Sequence, residues 1–231
     1  MVERRHKGLF ITFEGPEGGG KTTQSRRLHQ RLVEAGHFAI WTHEPGGTAI
    51  GDSIRAILLD EHRLRNLNPR VQTLLIEAAR AQHVEEVIRP HLIKGAVVVC
   101  DRYIDSTLAY QGGGFRVAER ALSTLNRFAT RGLMPDLTVM VDIDVTAGLG
   151  RKFASRGTDP SAVQSMEWQA TDFHERVRKV YLRLVTDEPD RMFVLDGAGD
   201  VDAEHDRAWQ RVQTLVKARG LSATAGQGKL L

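Results

Sequence analysis

Five short runs of apolar and β-branched residues recur along the chain, and each predicts a β-strand. The run at 96–100 is almost entirely apolar, as expected of a strand that is covered on both faces. The five runs are Leu9–Phe13, Phe38–Thr42, Ala96–Cys100, Leu137–Asp142 and Met192–Asp196.

Segments with a helical spacing of apolar residues separate these strands. In the first of them Leu28, Leu32 and Ala35 recur at i, i+4 and i+7. Pro90 is expected to kink or break the second one near Arg89. The predicted helices are Thr22–Ala35, Arg70–Lys94, Ala118–Thr130, Thr146–Ala154, Thr171–Asp187 and Asp202–Arg219. Strands that alternate with helices predict βαβ units, a parallel sheet and therefore a three-layer α/β sandwich.

The same pattern predicts one domain over residues 8–220. The loop at 44–48 (EPGGT) is neither helix nor strand. Residues 155–164 (SRGTDPSAVQ) combine Arg, Gly and Pro between two helices, and they predict a mobile flap within a flexible lid of about residues 151–167. The small and polar residues at 221–231 predict a disordered tail.

Composition excludes several classes of protein. The single cysteine, Cys100, excludes an internal disulfide and a cysteine-rich zinc site. The 32 basic and 29 acidic residues leave a net charge of +3, which is too small to require a nucleic acid as partner. No apolar run approaches the ~20 residues that span a bilayer, and the N-terminus lacks the features of a secretory signal. We expect a cytoplasmic protein that binds neither nucleic acid nor membrane.

The segment Gly15–Thr22 (GPEGGGKT) matches the phosphate-binding loop G-x-x-x-x-G-K-[ST], between an apolar strand and an amphipathic helix. Its glycines let the backbone wrap a triphosphate, and the following helix adds its positive N-terminal dipole. Lys21 is expected to reach the β- and γ-phosphates, and the Thr22 hydroxyl to bind Mg²⁺. The chain lacks the N-K-x-D guanine motif of GTPases and is smaller than a motor ATPase, so the loop favours a small phosphotransferase.

Asp101, Arg102 and Tyr103 follow directly on the apolar run at 96–100. A residue at the carboxyl end of a parallel strand faces the ligand crevice. Asp101 can therefore orient Mg²⁺ and its waters or polarise an acceptor, and Arg102 can neutralise charge on a transferring phosphoryl group.

An ordered set of motifs along the chain resembles the bacterial thymidylate kinase family. The motifs are GxxxxGKTTQ at Gly15–Gln24, EPGGT at Glu44–Thr48, AARAQH at Ala78–His83, DRY at Asp101–Tyr103 and STLAYQGGG at Ser106–Gly114. The resemblance runs from about residue 9 to about residue 219. It implies phosphorylation of dTMP by ATP with Mg²⁺, a five-stranded parallel sheet of the P-loop nucleoside monophosphate kinase type, a lid and a homodimer.

The resemblance also implies roles for single residues. Those expected to bind ATP are Gly15, Pro16, Glu17, Gly18, Gly19, Gly20, Lys21, Thr22, Thr23, Arg151 and Ala198. Those expected to bind dTMP are Glu17, Glu44, Pro45, Arg55, Ile76, Arg80, Arg102, Ser106, Thr107, Tyr110 and Gln111. Lys21, Asp101, Arg102 and Arg156 are expected to act in catalysis, and Thr22 and Asp101 to hold Mg²⁺.

Within these sets the resemblance assigns specific contacts. Glu17 takes the position that contacts the deoxyribose 3′-hydroxyl, Arg55 and Arg102 hold the acceptor phosphate, and Arg80 hydrogen-bonds the thymine carbonyl. Independently of the resemblance, the loop Gly197–Gly199 after the fifth predicted strand is placed to pack against adenine, and a plain turn fits the same residues nearly as well.

Some positions depart from the family pattern. Gly18 replaces the phosphate-loop arginine of one branch, so we expect the lid to supply it, from Arg156 first and Arg151 second. His43 stands where an arginine usually precedes Glu-Pro. Ile76 replaces the phenylalanine that stacks on thymine, which removes a contact worth roughly 1–3 kcal/mol in other base–aromatic systems. The lid segment 158–167 (TDPSAVQSME) lacks the usual D-R-x-E run.

Two alternatives remain open from the residues alone. Ile76 keeps open a related P-loop kinase with another acceptor, such as dUMP, a different deoxynucleotide or a deoxynucleoside. The second alternative is a nucleotide-binding switch that catalyses no turnover. Against it stand the intact residues of a phosphotransferase site: Lys21, Thr22, Asp101 and Arg102.

Overall fold

The computed structural model describes residues 6–60, 67–156 and 160–221, and for residues 155, 156 and 160–170 it describes the backbone alone. Its centre is a five-stranded parallel sheet, so the predicted sheet is confirmed. Each strand lies within one residue of its predicted bounds. The strands are β1 (Leu9–Glu14), β2 (Ala39–His43), β3 (Val97–Asp101), β4 (Leu137–Asp142) and β5 (Met192–Asp196).

Helices follow the strands along the chain. They are α1 (Lys21–Glu34), α2 (Ala49–Leu59), α3 (Pro69–His83), α4 (Arg89–Ile93), α5 (Ile104–Thr107), α6 (Glu119–Thr130), α7 (Val145–Arg156), α8 (Pro160–Asp187) and α9 (Val201–Ala218). Two π-helical segments, Val84–Ile88 and Leu108–Gly114, continue α3 and α5. Among the described residues, no helix has the length and apolar character to cross a membrane.

Three helix predictions need correction. Of the kink or break expected near Arg89, the break does not occur: the winding becomes π-helical at 84–88 and α-helical again at 89–93, which accommodates the missing N–H of Pro90 without ending the helix. The predicted flap at 155–164 is helical at 155–156 and from residue 160 onward, since Pro160 suits a first helical turn and good helix formers follow it. Residues 157–159 of the flap and 222–231 of the tail lie outside the described residues. Helix α2 was missed, although Thr48 caps it by accepting from the Gly51 N–H.

The sheet has the strand order β2-β3-β1-β4-β5, and apolar residues cover both of its faces. Alternate residues of β1 point to opposite sides: Leu9 and Ile11 pack with α1 and α9, whereas Phe10 packs with the segment that follows α3. In this register Phe13 of β1 and His43 of β2 both lie beside Asp101 of β3. The carboxyl ends of the three strands therefore meet at one edge, which is where ligands bind in such sheets.

Candidate active site

The loop between β1 and α1 is shaped by its glycines. Gly18 and Gly20 have φ angles of 72° and 96°, and a Cβ at Gly18 would collide with the Gly148 carbonyl. The Lys21 ammonium lies inside this loop, where it donates to the Pro16 carbonyl at 2.5 Å. Burial, together with the nearby Arg102 charge, lowers the pKa of Lys21 to about 8. The loop thus turns tightly around a cation. A glycine-rich loop of this kind, at the start of a helix, suits a polyphosphate.

Thr22 and Asp101 join the start of α1 to the end of β3. The Thr22 hydroxyl donates to Asp101 Oδ2 at 2.5 Å. Asp101 Oδ1 is buried and has no hydrogen-bond partner among the described residues. A hydroxyl beside an unpartnered carboxylate oxygen fits Mg²⁺, which commonly binds through one or two protein oxygens, waters and substrate phosphates. The described residues contain no cluster of three His, Cys, Asp or Glu that could hold a metal ion.

Arg102 reaches from the end of β3 toward the phosphate-binding loop. Its Nη2 atom lies 2.7 Å from Glu17 Oε1, and its Nη1 donates to Ser106 at 3.2 Å. Tyr110 donates its hydroxyl hydrogen to the same Glu17 oxygen at 2.8 Å, with its ring against the guanidinium. Burial alone would raise the pKa of Glu17, but the charges of Arg102 and Lys21 outweigh it and hold this pKa well below the ordinary value. Arg102 is thus fixed against a carboxylate of the loop that is expected to hold the donor.

Glu14 is a buried carboxyl that the sequence did not single out. Its Oε1 accepts the Tyr103 N–H at 2.6 Å, and its Oε2 accepts from the hydroxyls of Ser106 at 2.6 Å and Tyr181 at 2.8 Å. Burial and the charge of Asp105 raise its pKa to about 7. Its position directly before Gly15, at the end of β1, is the signal that could have identified it.

Arg80 is buried among acceptors that come from four different segments. Its Nε donates to Glu44 Oε2 at 2.7 Å and its Nη1 to Glu77 Oε1 at 2.6 Å. Nη1 also contacts Thr107 Oγ1 at 2.8 Å and Asn126 Oδ1 at 2.6 Å. Burial alone would raise the pKa of Glu44, but Arg80 and His83 together lower it, whereas burial dominates at Glu77 and raises its pKa. The guanidinium is therefore fixed in one orientation by charged partners.

The loop between β2 and α2 brings further predicted acceptor residues to the same edge. The Glu44–Pro45 peptide bond is cis, and Arg55 Nη1 donates to the Pro45 carbonyl at 2.8 Å. Burial and the charge of Arg55 lower the pKa of His43, which favours the neutral imidazole at this position. Arg55 is consequently the stronger cation of the two for an acceptor phosphate.

Ile76 and Gln111 complete the predicted acceptor set. Ile76 is half-buried and shares a face of α3 with Gln72 and Arg80, four residues to either side. The Gln111 amide donates to the Gln72 side chain at 3.1 Å, so the π-helical segment after α5 packs along this face. The aromatic residues nearby are engaged elsewhere. The Tyr110 ring contacts Arg102, and the Phe115 ring packs edge-on against that of Phe173, with 4.9 Å between the ring centroids.

A cavity of about 230 Å³ lies on the other side of the phosphate-binding loop. Gly18, Thr23, Arg151 and Gly197 are among the residues that line it. Arg151 Nη1 donates to the Gly197 carbonyl at 2.5 Å, and this contact ties α7 to the loop after β5. Ala198 lies in that loop and is exposed. This is the place where the sequence predicts the adenine.

The lid side of the site is described only in part. Arg156 ends α7, and its side chain lies outside the described residues. Lys152, one turn earlier on α7, approaches Glu17 with Nζ 3.2 Å from Oε2. Sequence reasoning missed Lys152, and its place next to Arg151 in a basic stretch was the available signal.

Comparisons with known proteins identify close relatives. A family model described as thymidylate kinase matches residues 13–208. A thymidylate kinase of Pelobacter propionicus is 47% identical over 197 residues, which is 84% of this chain and 89% of that protein. A thymidylate kinase of Geobacter sulfurreducens is 49% identical over 199 residues, which is 85% of this chain and 92% of that protein. The crystal structure of a thymidylate kinase from Ehrlichia chaffeensis superposes with a TM-score of 0.72 at 30% identity, over 89% of this chain and 98% of that one.

Proposed function

The chain belongs to the thymidylate kinase family and phosphorylates dTMP to dTDP, and we propose that ATP and Mg²⁺ at the loop 15–22 supply the phosphoryl group. The observation that carries this proposal is the position of Arg102, which links the phosphate-binding loop through Glu17 to the acceptor segment through Ser106. Donor and acceptor phosphates on either side of Arg102 would both lie close to its positive charge, which offsets the repulsion between them. Phosphoryl transfer depends mainly on such positioning and charge stabilisation.

On the donor side, Lys21 contacts the β- and γ-phosphates, and Thr22 and Asp101 hold Mg²⁺. When bound, the ion neutralises charge on the phosphate oxygens. The other loop residues, apart from Pro16, which has no N–H, surround the phosphates through their backbone N–H groups. The cavity beside Arg151 and Ala198 takes the adenine. Arg156 supplies the lid arginine. Closure of the lid, at about residues 151–167, excludes water from the active site. The site and its lid belong to a single kinase domain, residues 8–220.

On the acceptor side, Arg55 and Arg102 hold the phosphate of dTMP and Glu17 contacts its 3′-hydroxyl. Arg80 donates to the thymine carbonyl, and Ile76 packs on the ring. The other acceptor-side residues shape the pocket around base and sugar: Glu44, Pro45, Ser106, Thr107, Tyr110 and Gln111. Support comes from the fact that these residues converge at one edge of the sheet around the buried Arg80.

The proposal includes a homodimer that works in the cytoplasm. Leu74, Ala78 and Ala81 recur at i, i+4 and i+7 on α3 and form an apolar stripe. The neighbouring α6 carries Phe128 with 83% of its surface exposed, beside a groove of about 590 Å³ between the two helices. Exposed apolar surface of this kind marks an interaction face, and a second copy of the chain is the occupant that the family favours.

One assay tests the reaction. ADP production is measured with ATP, Mg²⁺ and each of dTMP, dUMP, dCMP, dGMP, AMP and thymidine as acceptor. A strong preference for dTMP supports the proposed acceptor site. Preference for another acceptor would overturn the roles of Arg80, Ser106, Thr107 and Gln111, and ATP binding without any product would indicate a switch instead.

A further inference from the structure

The backbone of Arg102 is held in an uncommon conformation. Its φ angle is 71°, in the left-handed region that residues with a Cβ rarely adopt. Such a conformation persists only where the surrounding structure fixes it, and it is found mainly at functional sites. Here the Arg102 N–H donates to the Phe13 carbonyl at 2.9 Å, and the next N–H, that of Tyr103, donates to Glu14 Oε1 at 2.6 Å. The last two residues of β1 therefore hold the turn that carries Arg102.

The Arg102 guanidinium is linked to the same carboxylate through one serine. The Ser106 hydroxyl donates to Glu14 Oε2 at 2.6 Å, so its hydrogen is committed to the carboxylate. The lone pairs of the Ser106 oxygen remain, and one of them accepts from Arg102 Nη1 at 3.2 Å. The other end of the guanidinium, Nη2, lies 2.7 Å from Glu17 Oε1. Arg102 is thus fixed between Glu17 of the phosphate-binding loop and a serine that Glu14 orients.

We propose that Glu14 is a positioning residue for Arg102: its carboxylate fixes the Arg102 backbone through the Tyr103 N–H and the guanidinium through the Ser106 hydroxyl. Glu14 itself is fully buried, so it acts only through these protein groups. The inference rests on the proposed function, in which Arg102 holds the acceptor phosphate. A guanidinium that is oriented before the phosphates bind keeps its charge where the reaction needs it, and this preorganisation raises the rate.

Asp105 separates this role from general support of the fold. It is a second fully buried carboxylate, and Arg191 binds both of its oxygens, with Nη1 2.7 Å from Oδ2 and Nη2 2.9 Å from Oδ1. Among the described residues, no side-chain hydrogen bond of Asp105 leads to Ser106 or Arg102. If Glu14 only stabilised the fold, then loss of the charge at either carboxylate would affect activity alike.

The test compares Glu14→Gln with the control Asp105→Asn, which makes the same exchange of carboxylate for amide. Glutamine keeps one oxygen for the Tyr103 N–H but places an amide donor where the Ser106 hydroxyl now donates. Kinetics are measured at alkaline pH, where Glu14 is ionised, and thermal unfolding reports folding. We expect Glu14→Gln to lower kcat/KM for dTMP at least about tenfold while the KM of ATP stays unchanged. Asp105→Asn should lower Tm and keep the wild-type kcat/KM.

A second comparison repeats Glu14→Gln in an Arg102→Lys background. Lysine keeps the charge but lacks the fork that reaches Glu17 and Ser106 at once. If Glu14 acts through that fork, then Glu14→Gln should change kcat/KM by less than about twofold in this background. An equal fall in both backgrounds would instead show that Glu14 acts independently of Arg102, and it would overturn the inference.

Two further results would also overturn the inference while Arg102 keeps its proposed role: an unchanged kcat/KM in folded Glu14→Gln, or an equal fall in Asp105→Asn. If Glu14→Gln does not fold, Glu14→Asp gives the same comparison, because it keeps the charge and withdraws both oxygens by one methylene group. Wild-type kinetics in Arg102→Lys would overturn the proposed role of Arg102 together with the inference. A wild-type enzyme that prefers another acceptor would overturn the proposed acceptor site alone, since the same variants are then compared with that acceptor.

Discussion

The Thr22 hydroxyl donates a 2.5 Å hydrogen bond to the Asp101 carboxylate, although 79 residues separate them in the sequence. The bond is possible because β1 and β3 are neighbours in the sheet, with Phe13 level with Asp101. It joins the phosphate-binding loop, which follows β1, to the Asp-Arg-Tyr motif, which ends β3. The two motifs that carry the proposed chemistry therefore form one site at the carboxyl edge of the sheet.

Lys21 provides the most direct test of the phosphate-binding loop. Lys21→Ala should lower kcat at least about a hundredfold while the protein stays folded, because the ammonium acts on charge that develops on the phosphoryl group. Steady-state kinetics with dTMP and thermal unfolding measure the two effects. Lys94→Ala, at an exposed position after α4, is the matched control. A folded Lys21→Ala variant with nearly normal kcat would exclude the assigned role.

Ile76 tests how the base is held. Ile76→Phe should lower the KM of dTMP, because an aromatic ring adds a stacking contact worth roughly 1–3 kcal/mol in other systems. Ile93→Phe makes the same exchange at an exposed site on α4 and should leave this KM unchanged. An unchanged or higher KM in Ile76→Phe would show that the base packs against a different side chain.

Local signals in the sequence were sufficient for the strands and for the phosphate-binding loop. The run that ends at Phe13 and the glycines that follow it define a strand and a turn within about a dozen residues, so their geometry depends little on the rest of the chain. The π-helical winding before Pro90 was not predictable in this way, since it changes no apolar spacing that a helical pattern would reveal.

Contacts between distant residues were the other limit. Glu14 binds the hydroxyl of Tyr181, 167 residues away, and no local pattern marks such a pair. Glu77 follows Ile76 within a predicted helix, but a helical spacing of apolar residues does not tell whether a single carboxylate on that helix faces solvent. Its burial follows from Arg80, one turn later, whose guanidinium draws the carboxylate inward.

Glu14 predicts a pH dependence of folding stability. Burial and the charge of Asp105 raise its pKa from 4.5 to about 7. The folded protein then binds this proton more tightly than the unfolded chain does. The contribution of protonated Glu14 to the free energy of unfolding is therefore complete below pH 4.5 and is lost as the pH rises to about 7. Glu14→Gln stays neutral, so its stability relative to wild type should improve across this range, by up to about 3 kcal/mol. Urea unfolding at several pH values measures this difference, and a flat profile would contradict the raised pKa.

Phe128 tests the proposed dimer face. Its ring is 83% exposed on α6, beside the apolar stripe of α3, and Phe128→Glu would place a charge where two copies are expected to meet. We expect this variant to be monomeric by size-exclusion chromatography with light scattering, because burying an unpaired carboxylate at an interface is strongly unfavourable. Phe38→Glu makes the same exchange at an exposed residue before β2 that does not line the groove beside Phe128, and it should leave the dimer intact. A dimeric Phe128→Glu protein would move the interface to another surface, and a wild-type monomer would remove the dimer from the proposal altogether.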